Sequence, residues 1–314
     1  MRLLALSVAA MFVALLAGAT TLQENFSGNP LVSGWKIFGN TNLFHWNSTN
    51  ENLEVTWDSA QSNSYFYHPL GTILTTNDDF TLEFDLRLDD AQIQGFGFEL
   101  ALGLLNLSDA TNANFIRGTG RNAPNLVEFD YFPDFGFGPS IDGTLADNTA
   151  TNFHFFYANV PLDFGTVYHV VLSHAAGTAE LSGQIFTGGN FYTDLPSVYS
   201  TPNFFDFRVN TLSISSYSGS GSGGSILAHG VVDNFVVTLP PQPIQNFVGN
   251  FTNGFWTVNF LSQSNWLYTL ERAMDFQSWT NASLSTLGNG TNLFLIDASL
   301  PTERAFYRVR AERP

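Results

Sequence analysis

The chain predicts an all-β protein, with two packed antiparallel sheets followed by a smaller β-module. Three observations carry that prediction. Aromatic residues are abundant, with 31 Phe, 10 Tyr and 6 Trp among 314 residues, and such side chains suit a pleated, half-buried surface. Apolar and polar residues alternate with a period of two in several runs. Clusters rich in Asn, Gly, Ser and Pro separate those runs at the spacing of turns.

Residues 1–19 read as a secretory signal peptide. Met1-Arg2 supplies the charged start, Leu3 to Leu16 the apolar stretch, and Ala17-Gly18-Ala19 the small-residue cleavage site. The apolar stretch is shorter than the roughly 20 residues that span a bilayer. The mature chain is therefore expected to be secreted, extracellular or at the cell surface, with no membrane span. It has no cysteine, which excludes disulfides, thiol catalysis and Cys-ligated zinc, and leaves stability to core size and to bound metal.

The clearest strand is Phe80 to Leu88, where Phe80, Leu82, Phe84, Leu86 and Leu88 alternate with Thr81, Glu83, Asp85 and Arg87. Strands are also expected at Leu53 to Asp58, Ser64 to His68, Gly95 to Leu105, Val167 to His174, Ala179 to Phe186 and Phe205 to Ser215. In the last, the apolar phase changes near Thr211, the signature of a β-bulge. The Ser- and Gly-rich stretch from Ser216 to Ser225 is a loop, since a strand-like run from Gly230 to Leu239 follows it. Residues 20–239 thus form one sandwich domain.

Pro240-Pro241-Gln242-Pro243 marks a linker, residues 240–245, because its prolines remove backbone donors and favour an extended spacer. Runs at Phe255 to Phe260, Trp266 to Glu271, Leu293 to Ile296 and Ala305 to Arg310 then predict a small β-module over residues 246–314.

With 11 basic and 27 acidic residues the net charge is −16. Nucleic acid is a poor partner for so acidic a chain, and divalent cations or neutral ligands are better ones. The six histidines are scattered. His169 and His174 fall on opposite faces if both lie in one strand, and the six read as surface or satisfied core histidines rather than ligands. Trp35, Trp46, Trp57, Tyr65 and Tyr67 would offer apolar platforms to sugar rings if exposed.

The stretch Leu126 to Asp142 holds the candidate site. In a strand, Val127, Phe129 and Tyr131 point one way and Glu128 and Asp130 the other. Side-by-side carboxylates repel unless a cation, a proton or a substrate holds them. One reading is calcium binding, since carboxylate and carbonyl oxygens in one turn suit that ion. Another is a solvated strand face balanced by neighbours such as Arg117 and Arg121.

The run Val127-Glu128-Phe129-Asp130-Tyr131-Phe132-Pro133-Asp134 resembles the metal-binding stretch of the L-type, legume-like lectins of the concanavalin A-like superfamily. Gly95-Phe96-Gly97-Phe98-Glu99-Leu100 and Val232-Asp233-Asn234-Phe235-Val236-Val237 are similar to two further strands of that superfamily. The resemblance implies a two-sheet antiparallel jelly-roll sandwich. It also implies metal ligands at Glu128, Asp130, the Phe132 carbonyl and Asp134, with calcium as the cofactor, and non-catalytic binding of extracellular polysaccharide or glycan. The pattern departs from the family at Gly138, where a second bridging Asp would stand, and in lacking the following His.

The laminarinase-like glycoside hydrolases share the jelly roll and use a Glu-x-Asp-x-(x)-Glu strand. Here the third carboxylate position holds Phe132 or Pro133, so the acid/base that retaining hydrolysis needs is missing. Beyond the linker, Trp266 to Arg272, Ser278-Trp279 and Arg304 to Val309 resemble the small fibronectin-type-III-like modules of secreted bacterial proteins. An extracellular structural or adhesion role without sugar specificity is the other reading.

Overall fold

The computed structural model of the chain describes residues 20–94, 99–117, 122–133, 138–149, 151–176, 179–219, 225–299 and 305–314. In chain order the first strands are β1 Thr20–Glu24, β2 Lys36–Phe38, β3 Phe44–Asn47, β4 Asn52–Asp58, β5 Ser64–Leu74, β6 Phe80–Gln94, β7 Leu100–Leu105 and β8 Leu126–Phe132. They continue with β9 Ser140–Ala146, β10 Phe153–Ala158, β11 Val167–Ala175, β12 Glu180–Thr187, β13 Asn190–Tyr199, β14 Val209–Ser216 and β15 Ser225–Leu239.

These strands form two antiparallel sheets packed as a sandwich, the fold class the alternation predicts. One sheet runs β13-β12-β11-β6-β15-β4-β3 with β1 added on β15, and the other runs β10-β9-β8-β7-β14-β5-β2. The core lies between them because each strand turns one apolar face inward. Leu82, Phe84, Leu86 and Leu88 of β6 are all buried. Phe84 meets Phe129 of the opposite sheet edge to face, with centroids 5.7 Å apart at 65°. Burying each such side chain contributes about 1.5–3 kcal/mol.

Three aromatic residues that could have been platforms are core instead. Trp35, Trp57 and Tyr65 are buried, and Trp35 stacks on Phe66 with centroids 4.9 Å apart. The indole N–H of Trp35 donates to Glu24 at 3.0 Å, which satisfies its one polar atom inside the apolar cluster.

The bulge expected near Thr211 is present as a register shift between Val209 and Thr211 in the β14 to β5 pairing. The strand starts at Val209 rather than Phe205. Residues 205–208 are irregular because Asp206 is drawn away from the sheet, its carboxylate accepting from Thr76 N at 3.0 Å and its carbonyl from Asn148 N at 2.7 Å.

Past Leu239 come β16 Ile244–Thr252, β17 Phe255–Ser262, β18 Leu267–Ala273, β19 Thr280–Asn281, β20 Thr286–Leu287, β21 Asn292–Asp297 and β22 Phe306–Glu312. They make two small sheets, β16-β17-β21 and β19-β18-β20 with β22 on β18. A separate core of Val258, Phe260, Trp266, Tyr268, Leu270 and Leu295 lies between them. Strand β16 begins at Ile244, so pairing starts inside the stretch read as linker. Among the described residues no helix is long and apolar enough to cross a membrane. The expected signal peptide lies outside the described residues.

Candidate functional site

The site is built on the outward face of the second sheet. Strand register sets two neighbouring rows of side chains across it. One row reads Phe155, Thr144, Glu128, Gly103, Ser213 and Tyr67, and the next reads Tyr157, Asp142, Asp130, Ala101, Ser215 and Tyr65. Acids occupy β8 and β9, while small residues occupy β7 and β14. Gly103 is required by this packing: a Cβ there would lie 2.6 Å from Glu128 Cα and 2.9 Å from Glu128 Cγ.

The segment after β7 folds back over this face. It opens with a short helix, α1 Leu107–Ala110, whose N-cap Asn106 accepts from Ser108 N at 3.1 Å and Asp109 N at 3.4 Å. Tyr65 donates its hydroxyl to the Ala110 carbonyl at 3.0 Å, and the Asn63 amide donates to the Phe115 carbonyl at 3.2 Å. These bonds bring Arg117 onto the acids.

Arg117 Nε donates to Glu128 Oε2 at 2.9 Å, and Nη2 donates to Asp130 Oδ2 at 2.7 Å. Thr144 Oγ1 also donates to Asp130 Oδ2, at 2.6 Å, and the Tyr217 hydroxyl donates to Glu128 Oε1. Glu99 Oε1 stands 3.7 Å from Arg117 Nε. The guanidinium lies over the Phe153 ring at 5.0 Å, a cation–π contact that adds to its hold. Arg117, Glu128 and Asp130 are 2%, 1% and 0% exposed.

Four buried carboxyls, Glu99, Glu128, Asp130 and Asp142, thus share one guanidinium. Desolvation penalises their charged forms. It pushes Glu99 up to about 8 and Glu128 up to about 7, with the Arg117 charge opposing it in both. Burial also raises Asp130, against the pull of Arg117. Asp142 is held well above the usual carboxylate range by burial and then by the Asp130 charge. Its Oδ1 accepts from Phe156 N at 3.0 Å. Burial thus favours the protonated form of each of these acids, while Arg117 stabilises the ionised one.

The sequence-level candidates divide accordingly. Glu128 and Asp130 come together, and Arg117 balances them. The face is buried rather than solvated, because residues 107–117 lie across it. Phe132 ends β8 opposite Ser140. Asp134 and Arg121 lie outside the described residues, as do residues 95–98. Among the described residues no group of three or more His, Cys, Asp or Glu side chains is arranged to hold a metal ion. A divalent cation between Glu128 and Asp130 would have to displace a guanidinium. His169 and His174 lie on opposite faces of β11: His169 Nδ1 is 2.8 Å from Asp85, and His174 is buried.

Sequence reading missed the roles of Glu99, Thr144 and Tyr217, which are distant in the chain and meet only through strand register. It also missed β10. Phe153, Phe155 and Tyr157 fall at successive outward positions of this edge strand, and the Phe155 and Tyr157 rings stack 6.1 Å apart at 15°. They are 47% and 53% exposed. The alternation Phe153-x-Phe155-x-Tyr157 was the available signal.

No protein-family model matches the chain, and no curated protein matches it. Solved structures do. Peanut lectin with a nonamer peptide is similar over 72% of this chain and 100% of its own, at 17% identity and a TM-score of 0.46. Lectin II from Ulex europaeus is similar over 70% of this chain and 98% of its own, at 11% identity and a TM-score of 0.45. The alginate lyase Aly36B, in complex with an alginate trisaccharide, is similar over 71% of this chain and 99% of its own, at 16% identity and a TM-score of 0.39. Such similarity says nothing about what this chain binds.

Proposed function

We propose that the chain is a secreted, lectin-like protein that binds extracellular carbohydrate without cleaving it. The observation that carries this reading is the exposed, near-parallel pair Phe155 and Tyr157 on the outward face of β10. Aromatic faces are apolar platforms with a polar rim, suited to the C–H faces of pyranose rings. The lectin resemblance of the stretch Val127 to Asp134 adds to it, and the apolar start of the chain supports export.

The non-catalytic part rests on access. A retaining glycosidase needs an ionised and a protonated carboxyl against the scissile bond. Glu128 and Asp130 instead lie under Arg117 and Tyr217, and a substrate reaches neither without displacing that cover. Calcium belongs to this proposal on the Phe132 carbonyl and Asp134, with Glu128 and Asp130 taken up by Arg117. The module past residue 245, fibronectin-like in its Trp and Arg pattern, serves as a spacer or attachment unit.

A glycan array probed with and without EDTA tests the proposal. Retention of a glycan supports it, and EDTA-sensitive retention supports the calcium. No retention of any glycan favours a structural or adhesive role. Release of reducing sugar that disappears in Glu128→Gln would make the chain a hydrolase.

A further inference from the structure

Strand register sets a row of hydroxyl side chains across the outward face of the first sheet. Thr238 of β15 faces Thr81 of β6, Thr81 faces Ser173 of β11, and Ser173 faces Ser182 of β12. At β13 the pairing slips. Leu181 faces Val198 and Gly183 faces Leu195, so Pro196 and Ser197 together stand opposite Ser182. A bulge of this kind bends its strand. Beside the small side chains of β11 and β12 it leaves a groove of about 570 Å³, whose lining includes Val171, Ser173, Ser182, Gln184, Asp194 and Ser197.

The polar groups of the groove are open and unengaged. The hydroxyls of Ser173, Ser182 and Ser197 make no hydrogen bond among the described residues, and none of them is closed off from solvent. Gln184 Nε2 donates to Asp194 Oδ1 at 3.1 Å, which orients the pair and leaves Gln184 Oε1 and Asp194 Oδ2 as acceptors. Aromatic rings stand toward both ends of the same face. Tyr199, 53% exposed, is the partner of Glu180 at one end. Phe191, 55% exposed, meets Phe186 edge to face at the other, with centroids 6.1 Å apart. Glu180 and Phe186 are six positions apart on β12, a span of about 20 Å.

Charge and composition select the occupant. Strands β11, β12 and β13 contain no Lys or Arg. Asp194, Glu180 and Glu83, the last paired with Val171, make the surroundings acidic, so an anionic polymer is repelled. Serine and acidic residues are depleted from the cores of protein interfaces, and the middle of the groove offers only Val171 and Pro196 as accessible apolar side chains, which disfavours a second copy. Hydroxyl, amide and carboxylate groups set between aromatic platforms complement a chain of uncharged sugar rings, whose hydroxyls donate and accept at once.

We infer that the groove along β12 binds a linear, neutral oligosaccharide, its hydroxyls paired with Ser173, Ser182, Ser197 and Asp194 and its ends stacked on Tyr199 and Phe191. The site lies on the sheet opposite the aromatic row of β10 and does not depend on it.

Calorimetric titration of the full chain carrying Phe155→Ala and Tyr157→Ala isolates the groove from β10. The probes are cellohexaose, laminarihexaose, mannohexaose and chitohexaose, with hexagalacturonate and hexalysine as charged controls. Two further changes are made in that background. Ser182→Leu fills the middle of the groove, and Ser173→Ala with Ser197→Ala removes two hydroxyls while leaving the space open. These positions face solvent, and an unchanged unfolding midpoint confirms that the variants fold. At least one neutral hexasaccharide is expected to bind, each change to weaken it by about tenfold or more, and hexagalacturonate not to bind. Failure of all four neutral sugars to bind in this background overturns the inference, and so does binding that survives both changes. A sugar held by the wild-type chain but not by the Phe155→Ala, Tyr157→Ala variant overturns it while supporting the β10 reading. Hexalysine held in place of every sugar overturns it in favour of a cationic peptide.

Discussion

Arg117 Nη2 donates to Asp130 Oδ2 across 2.7 Å, with both side chains withdrawn from solvent. The pair decides what the acidic stretch can do. An arginine held this way supplies the positive charge that two neighbouring carboxylates require, and it covers them.

Removing that arginine leaves buried acids without a counter-charge. Arg117→Met is expected to cost about 3–5 kcal/mol in urea unfolding. Part of the loss should return at pH 5, where the exposed imbalance is relieved by protonation. A loss under about 1 kcal/mol at pH 7 would contradict the assignment.

The raised acids also set the pH dependence. Glu99, pushed up to about 8, and Glu128, pushed up to about 7, bind protons in the folded state that the unfolded chain releases near pH 4.5. Stability from these groups is therefore full below about pH 4.5 and lost as pH rises through 7 and 8. The thermal midpoint should fall between pH 5 and pH 8, and the fall should be shallower in Glu99→Gln. A midpoint rising over that range would sink this reading.

Gly103 is a steric requirement of the same face. In Gly103→Ala the new Cβ would stand 2.3 Å from the Val127 carbonyl oxygen and 2.6 Å from Glu128 Cα, both backbone atoms that cannot step aside alone. Overpacking of this kind costs about 1–3 kcal/mol or more. Chemical denaturation gives the number, and a neutral result would mean the β7 to β8 contact is looser than described.

Calcium bound as proposed would be held by the Phe132 carbonyl and Asp134 and not by the Arg117 cluster. With the millimolar-range affinity of extracellular sites, 10 mM calcium should stabilise the chain by about 1–3 kcal/mol. Glu128→Gln should keep that increment and Asp134→Asn should abolish it. Loss of the increment in Glu128→Gln would return the metal to the acid pair.

Much of the fold was legible because period-two alternation is local. The Phe80 to Leu88 face and the bulge near Thr211 can both be read from neighbours in the chain. The site was legible only in part. Glu128 and Asp130 share a face by strand parity, and Arg117 offered itself as a nearby charge, but parity says nothing about what covers a face. Burial of the acids depends on residues 107–117 crossing the sheet, and on Tyr217, which reaches Glu128 from 89 positions away. Trp35, Trp57 and Tyr65 failed as platforms for the same reason, since an aromatic side chain looks alike in sequence whether its partner is a core or a ligand. The exposed aromatic residues of β10 sit in an ordinary strand pattern, and only the sheet order reveals that the strand is an edge.

The central claim is that carbohydrate is held by the aromatic row of β10. The most direct test is calorimetric titration of a glycan retained on the array, using the wild-type chain and the Phe155→Ala, Tyr157→Ala double variant. Each stacked ring contributes about 0.5–1.5 kcal/mol, so the double variant should bind about tenfold more weakly or worse, while remaining folded with only a small fall in its unfolding midpoint, because both rings are about half exposed. Equal affinity in the two proteins would contradict the account.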